Sequence, residues 1–153
     1  MRFSEMNYTR PNLDKIEVDF NDKLKAFAKS DSAFKQAEAI TEINNLKNNF
    51  QTLAALASVR NSIDTTNSYY EKEQEFFDMN EPRMRDLSVK FYKALGSSAF
   101  REQLEGKFGK QLFRIAEVSS KTFSPEIIND LMEENKLCTE YTKLMATAEV
   151  EFN

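Results

Sequence analysis

With three glycines and three prolines among 153 residues, the chain has few places at which a backbone can reverse cheaply. A sheet-rich fold needs many turns, and these two residues punctuate most of them. Glu, Lys, Ala, Leu and Asn are abundant instead, a composition that favours helices. The expectation is an all-α fold in which residues 1–153 form one region, an antiparallel bundle of about six helices. A chain of this length buries roughly two thirds of its unfolded surface, enough for one real core.

Apolar spacing places the elements. Leu13, Ile16, Phe20, Leu24 and Phe27 predict a first helix over about 12–27 with one narrow stripe. A second segment runs from 30–32 to about 62, with Leu46, Phe50, Leu53 and Ala57 on one face and Phe34, Ala37 and Ile40 on another. Its changing face implies contact with more than one neighbour. The third opens in "SIDTTNSYYEKEQEFFDMNEP", where Ser68 and Glu71 have capping-box spacing. Tyr69, Tyr70, Phe76 and Phe77 fall on one arc, and Met84, Leu87, Phe91 and Leu95 continue it beyond Pro82. A proline there removes one hydrogen bond and crowds the Asp78 carbonyl, so the expectation is a long helix kinked near Pro82, with a break as the alternative.

A short helix over 98–108 should stop at Gly109, followed by one over 110–123 with Leu112, Phe113, Ala116, Ser120 and Phe123 turned inward. "FSPE" then starts the last helix, with Ser124 as N-cap, Pro125 first and Glu126 favourable to the dipole. Ile127, Ile128, Leu131, Cys138, Thr142 and Met145 make one stripe, and Leu137, Tyr141, Leu144 and Ala148 a second beside it. That arc exceeds the width a peripheral helix needs, so it should pack against more than the preceding segments supply. Cys138, on this face, reads as a packing residue. At the end Ala148, Val150 and Phe152 alternate with polar residues, which reads either as a strand beginning over Ala148–Asn153 or as a coincidence at a helix end.

Four polar positions interrupt the apolar arcs and are the candidate buried or cleft-facing sites: Glu73 and Asn80 in the third helix, Glu134 and Asn135 in the last. Glu73 should pair with an arginine such as Arg60 or be held by a tyrosine hydroxyl, and the alternative is a carboxylate facing a cleft. Glu71, Glu75 and Asp78 read as a solvated face, with a hard-cation site as the alternative.

The chain has no histidine. That removes Ser-His and Cys-His nucleophilic pairs, His-containing zinc sites and the ligands of ferritin-like di-iron bundles. One cysteine cannot form an internal disulfide or a thiolate zinc site, and it agrees with a reducing, cytoplasmic setting. The net charge of −4 gives no basic excess for nucleic acid, and no window approaches the ~18 apolar residues of a membrane span. Catalytic, cofactor-binding and metal-binding residues are therefore assigned to none of the positions in this chain.

Several stretches carry a resemblance. "FSEMNYTRPNLDKIEVDF", "LASVRNSIDTTNSYYEKEQEFFDMNEP", "FYKALGSSAFREQLEGKFGKQLF" and "FSPEIINDLMEENKLCTEYTKLMATAEVEF" together are similar to the amino-terminal part of zinc oligoendopeptidases of the thimet oligopeptidase and oligoendopeptidase F family. The resemblance implies a mostly helical, clam-shaped metallopeptidase with a deep channel for short peptides. It also implies that the zinc, held by an H-E-x-x-H helix and a third glutamate, belongs to a carboxy-terminal catalytic half, the partner of this region. No such motif occurs here, so no family active-site residue carries over. The expected role is channel wall and gating without chemistry, in a fragment of a longer polypeptide into whose remainder the segment beginning at Ala148 leads. A stand-alone helical interaction module that binds a partner helix or self-associates is the alternative.

Overall fold

The computed structural model describes residues 5–148. Six α-helices follow in order: α1 Leu13–Lys29, α2 Ala33–Ile63, α3 Ser68–Gly96, α4 Arg101–Phe108, α5 Lys110–Thr122 and α6 Ile128–Thr147. No strand occurs among the described residues. Val150 and Phe152, on which the expected strand rests, lie outside them.

Local chemistry sets the helix starts. Asn12 accepts from Lys15 N at 3.0 Å, Ser32 from Lys35 N at 3.4 Å and Asn67 from Tyr69 N at 3.0 Å, each satisfying a donor that has no partner within its helix. Asn67 caps α3 one residue earlier than the expected Ser68, because an amide oxygen serves this role as well as a hydroxyl. Gly109 separates α4 from α5 at φ 83°, a left-handed conformation suited to glycine. The short helix starts at Arg101 rather than at 98, since Ser98 Oγ instead accepts from Phe100 N in a turn. Ser124 opens the last segment as a 3-10 turn, Pro125–Ile127, before α6 begins.

Helix α3 is the axis of the bundle, packing against α1, α2, α5 and α6. Its inward arc of Phe77, Met84, Leu87, Phe91 and Leu95 is buried together with Phe20, Phe27, Ile40, Ile43, Phe50, Leu104 and Phe113. Phe27 meets Phe91, and Phe50 meets Phe77, edge to face at 6.0 and 5.2 Å, the geometry favoured by ring quadrupoles. Buried Gln36 ties three elements: its Nε2 donates to the Phe27 carbonyl at the end of α1, and its Oε1 accepts from Ser98 Oγ in the α3–α4 connection. Several residues on the expected apolar faces are exposed: Phe34 and Tyr69, and on α6 Leu137, Cys138, Tyr141, Leu144 and Met145. Phe34 and Tyr69 sit at the starts of their helices, where fewer neighbours reach. Those of α6 belong to the arc expected to be wider than the preceding segments can cover.

Helix α3 runs unbroken through Pro82, which is buried. The carbonyl that Pro82 deprives of its helical donor is that of Asp78. Asn135 of α6 replaces the lost donor, its Nδ2 reaching the Asp78 carbonyl at 3.1 Å. Asp78 itself is buried rather than solvated, because α6 lies over it. Its carboxylate accepts from Gln74 Nε2 at 2.7 Å and Thr139 Oγ1 at 2.8 Å.

Asn135→Ala should therefore cost about 1 kcal/mol, the worth of one hydrogen bond to a part-buried carbonyl. In a Pro82→Ala background the backbone N–H at position 82 can reclaim that carbonyl, and the same change should cost about half as much. Urea denaturation of the two single variants and the double variant measures the coupling. Strict additivity would show that Asn135 does not substitute for the missing donor.

Candidate functional site

Glu73 sits on the inward side of the first turns of α3 and is only 5% exposed. Its cationic partner is Arg10, not Arg60: the guanidinium binds both carboxylate oxygens, Nε to Oε2 at 3.0 Å and Nη2 to Oε1 at 2.8 Å. Tyr8 Oη adds a third hydrogen bond to Oε2 at 2.6 Å. Bidentate guanidinium pairing is strong and directional, so it fixes the segment before α1 across the start of α3. Arg60 secures the same segment from α2, donating to the Met6 carbonyl at 2.7 Å and stacking over the Tyr8 ring at 5.6 Å. Helix propensity gives no sign of this strap. The clue lay in a tyrosine and an arginine two residues apart ahead of the Pro11–Asn12 helix start.

The electrostatics follow from the geometry. Hydrogen bonds from Arg10 hold the Glu73 carboxyl below its ordinary value, against the opposing effect of burial. Burial, then the bond to Glu73, pushes the Tyr8 hydroxyl well above its ordinary range. At Asp78 the balance reverses: burial raises its carboxyl, and the neutral donors Thr139 and Gln74 only partly offset this.

The other candidate positions have separate settings. Asn80 is half-buried, donating to the Phe76 carbonyl at 2.6 Å and accepting from Arg83 Nη1 at 3.2 Å. Arg83 in turn pairs with Glu17 of α1 at 2.9 Å. Asn135 is half-buried against Asp78, and Glu134 is exposed on the far side of α6. These four residues do not converge on one site. Asp78 and Thr139, which the periodicity did not single out, make the more closely packed polar contact.

A groove of about 700 Å³ lies between α2, α3 and α6. Phe50, Phe77, Pro82 and Met84 contribute apolar wall, and Lys47, Gln51, Gln74, Glu81, Arg85, Ser88 and Tyr92 supply polar groups. Lys47 is held in place by a 2.7 Å hydrogen bond to Tyr92 Oη and lies over that ring. Gln74 Oε1 is buried without a hydrogen-bond partner beside this groove. Such a lining offers donors and acceptors to an extended backbone but contains no nucleophile–base pair.

Residues 3–123 match the model of the peptidase M3 N-terminal domain. The chain belongs to this family. Its fold is also that of PZ peptidase A, solved with an inhibitor: 49% identity, TM-score 0.96, over 99% of this chain and 27% of that one. A crystal structure described as an oligoendopeptidase F matches at 45% identity and TM-score 0.96, over 100% of this chain and 27% of the other. An oligoendopeptidase F assignment from Bacillus anthracis str. Ames matches at 40% identity and TM-score 0.95, over 100% and 28%. No curated protein matches the chain. As an M3 N-terminal domain it thus spans about 27% of the length of the peptidases it resembles, and those peptidases continue into further polypeptide. No helix among the described residues is long and apolar enough to cross a membrane.

The Arg10–Glu73 pair sets a pH dependence. A depressed folded-state value means that the stabilisation is fully present above the ordinary 4.5 of the carboxyl and is lost as pH falls through the lower folded value. Arg10→Ala should cost about 2 kcal/mol at pH 7, below the usual range for a broken buried pair because Arg10 is itself half exposed. Glu73→Gln, which keeps neutral hydrogen bonds, should cost about 1 kcal/mol. Chemical denaturation from pH 7 down to pH 3 checks both sign and size. An Arg10→Ala penalty that stays constant over that range would rule out the charge pairing as its cause.

Proposed function

We propose that this chain is the amino-terminal helical region of a zinc-dependent oligoendopeptidase, where it forms part of the wall of the peptide channel and carries no catalytic residue. The supporting observation is a match over 99% of the chain, at 49% identity, to 27% of a peptidase. The groove beside Pro82 is the face suited to a peptide, since Lys47, Arg85 and the Gln51 amide can donate to backbone carbonyls and Gln74 Oε1 can accept from a backbone N–H. Zinc belongs to the remainder of the enzyme. The donor set here does not fit that metal: there is no imidazole, the one cysteine is exposed, and no three acidic or cysteine side chains converge among the described residues. A cytoplasmic setting accords with that single cysteine.

Purified alone, the chain should hold no stoichiometric zinc and should not cleave short fluorogenic peptides in a chelator-sensitive way. Joined to, or co-expressed with, the polypeptide encoded after Asn153 in its gene, it should support such cleavage. Turnover by the chain alone, with contaminating peptidases removed, would overturn the reading, as would a downstream sequence without an H-E-x-x-H helix.

The second reading, a helical interaction module, draws on the apolar residues that α6 presents to solvent. If that face is left uncovered, the isolated chain should self-associate weakly, with an apparent mass in light scattering that rises with concentration. A constant monomer mass that persists into the millimolar range would remove this reading.

A further inference from the structure

Helix α6 is attached to the bundle by polar groups. None of its twenty residues is buried. On its inner side Asn135 and Thr139 bind Asp78, and Lys143 pairs with Glu71. On its outer side Leu137, Tyr141 and Leu144 are 54%, 64% and 65% exposed, at spacings of four and three that set them in one stripe. Helices of this length are marginal in water without an apolar face to pack. Cys138 lies beside the stripe, and with Asp130, Glu133, Glu134, Leu137 and Tyr141 it lines a shallow concavity of about 480 Å³. That surface is apolar towards the helix C-terminus and acidic towards its N-terminus. None of the three carboxylates has a cationic partner among the described residues.

What covers the face can be argued from the chain itself. The M3 N-terminal domain model ends at residue 123, before α6. The structural match nevertheless takes in 99% of this chain, α6 included, within peptidases of which it spans 27%. Helix α6 therefore keeps its place in chains that supply nearly three times as much further polypeptide. A second copy is a poorer fit, because it offers the acidic end no free cation from this helix: Lys136 is paired with Glu140 and Lys143 with Glu71.

We propose that the outward face of α6, centred on Leu137, Cys138 and Tyr141, docks an amphipathic helix from the following part of the same peptidase chain, one with an apolar ridge and lysine or arginine at one end. This rests on the reading of the chain as the amino-terminal region of an oligoendopeptidase, and it makes α6 the joint between that region and the rest. The inner polar contacts set the position of α6, and the outer apolar contact holds the two parts together.

Cys138, the chain's one cysteine, is a native probe of this face. Its modification by a small maleimide can be timed by peptide mass spectrometry in the 153-residue chain and in the full polypeptide of its gene. The expected result is rapid labelling in the first and labelling slower by about tenfold or more in the second, independent of protein concentration. Leu137→Asp with Tyr141→Asp should restore rapid labelling in the full polypeptide, and Glu133→Lys with Glu134→Lys should restore part of it. Both pairs alter exposed side chains, and unchanged circular dichroism of the 153-residue variants verifies that α6 still folds. Equal labelling rates in a full polypeptide that cleaves peptides would overturn the docking and leave the peptidase reading intact. Protection that grows with concentration would assign the face to a second copy and also overturn it. A gene with no peptidase sequence after Asn153 would overturn both.

Discussion

The hydrogen-bond deficit created by Pro82 determines how the last helix is held. Helix α3 must pass through the centre of the bundle to bury Phe77 on one side of the proline and Phe91 on the other, so it cannot end there. A continuous helix leaves the Asp78 carbonyl without its usual donor in a place that water reaches poorly. Asn135 supplies the donor from α6, and the same approach buries the Asp78 side chain, which then needs Thr139 and Gln74. One covalent constraint in α3 thereby dictates three polar residues, two of them on another helix.

The two buried carboxylates of α3 show how environment separates chemically similar groups. Glu73 and Asp78 lie five residues apart, and both are nearly inaccessible. Glu73 faces a guanidinium and a phenol, so its charge is stabilised more than burial penalises it. Asp78 faces an amide and a hydroxyl, so burial prevails. The first is a strong fastening with ionic character, whereas the second is a neutral-donor contact that tolerates adjustment.

Much of this architecture was legible in the residues. The inward arc of α3, continuous across Pro82, and the stripes of α1 and α5 follow from apolar spacing, because helix packing rewards periodicity directly. The family was legible too, from stretches spread along the chain. The polar contacts were harder to see. Arg10 and Tyr8 meet Glu73 from more than sixty positions away, and no local pattern encodes a partner that distant. Asp78 looked solvated because its exposure depends on where α6 lies, and α6 is placed by Asn135 and Thr139, residues of no special type. Cys138 read as a packing residue, and Leu137 as part of an over-wide arc, because apolar spacing marks a face without saying whether this bundle covers it.

The strap formed by residues 6 to 12 has a consequence for the order of synthesis. These residues leave the ribosome ahead of α3, and Glu73, their anchor, is 63 positions behind Arg10. At about 5 to 20 residues per second, the segment waits roughly 3 to 13 s before its partner has even been made. Closing so long a loop also carries an entropic cost, which the contacts to Glu73 of α3 and Arg60 of α2 offset. The strap is thus made well before it can be fastened, and a nascent chain stalled within α2 would display Tyr8 and Arg10 without their Glu73 partner.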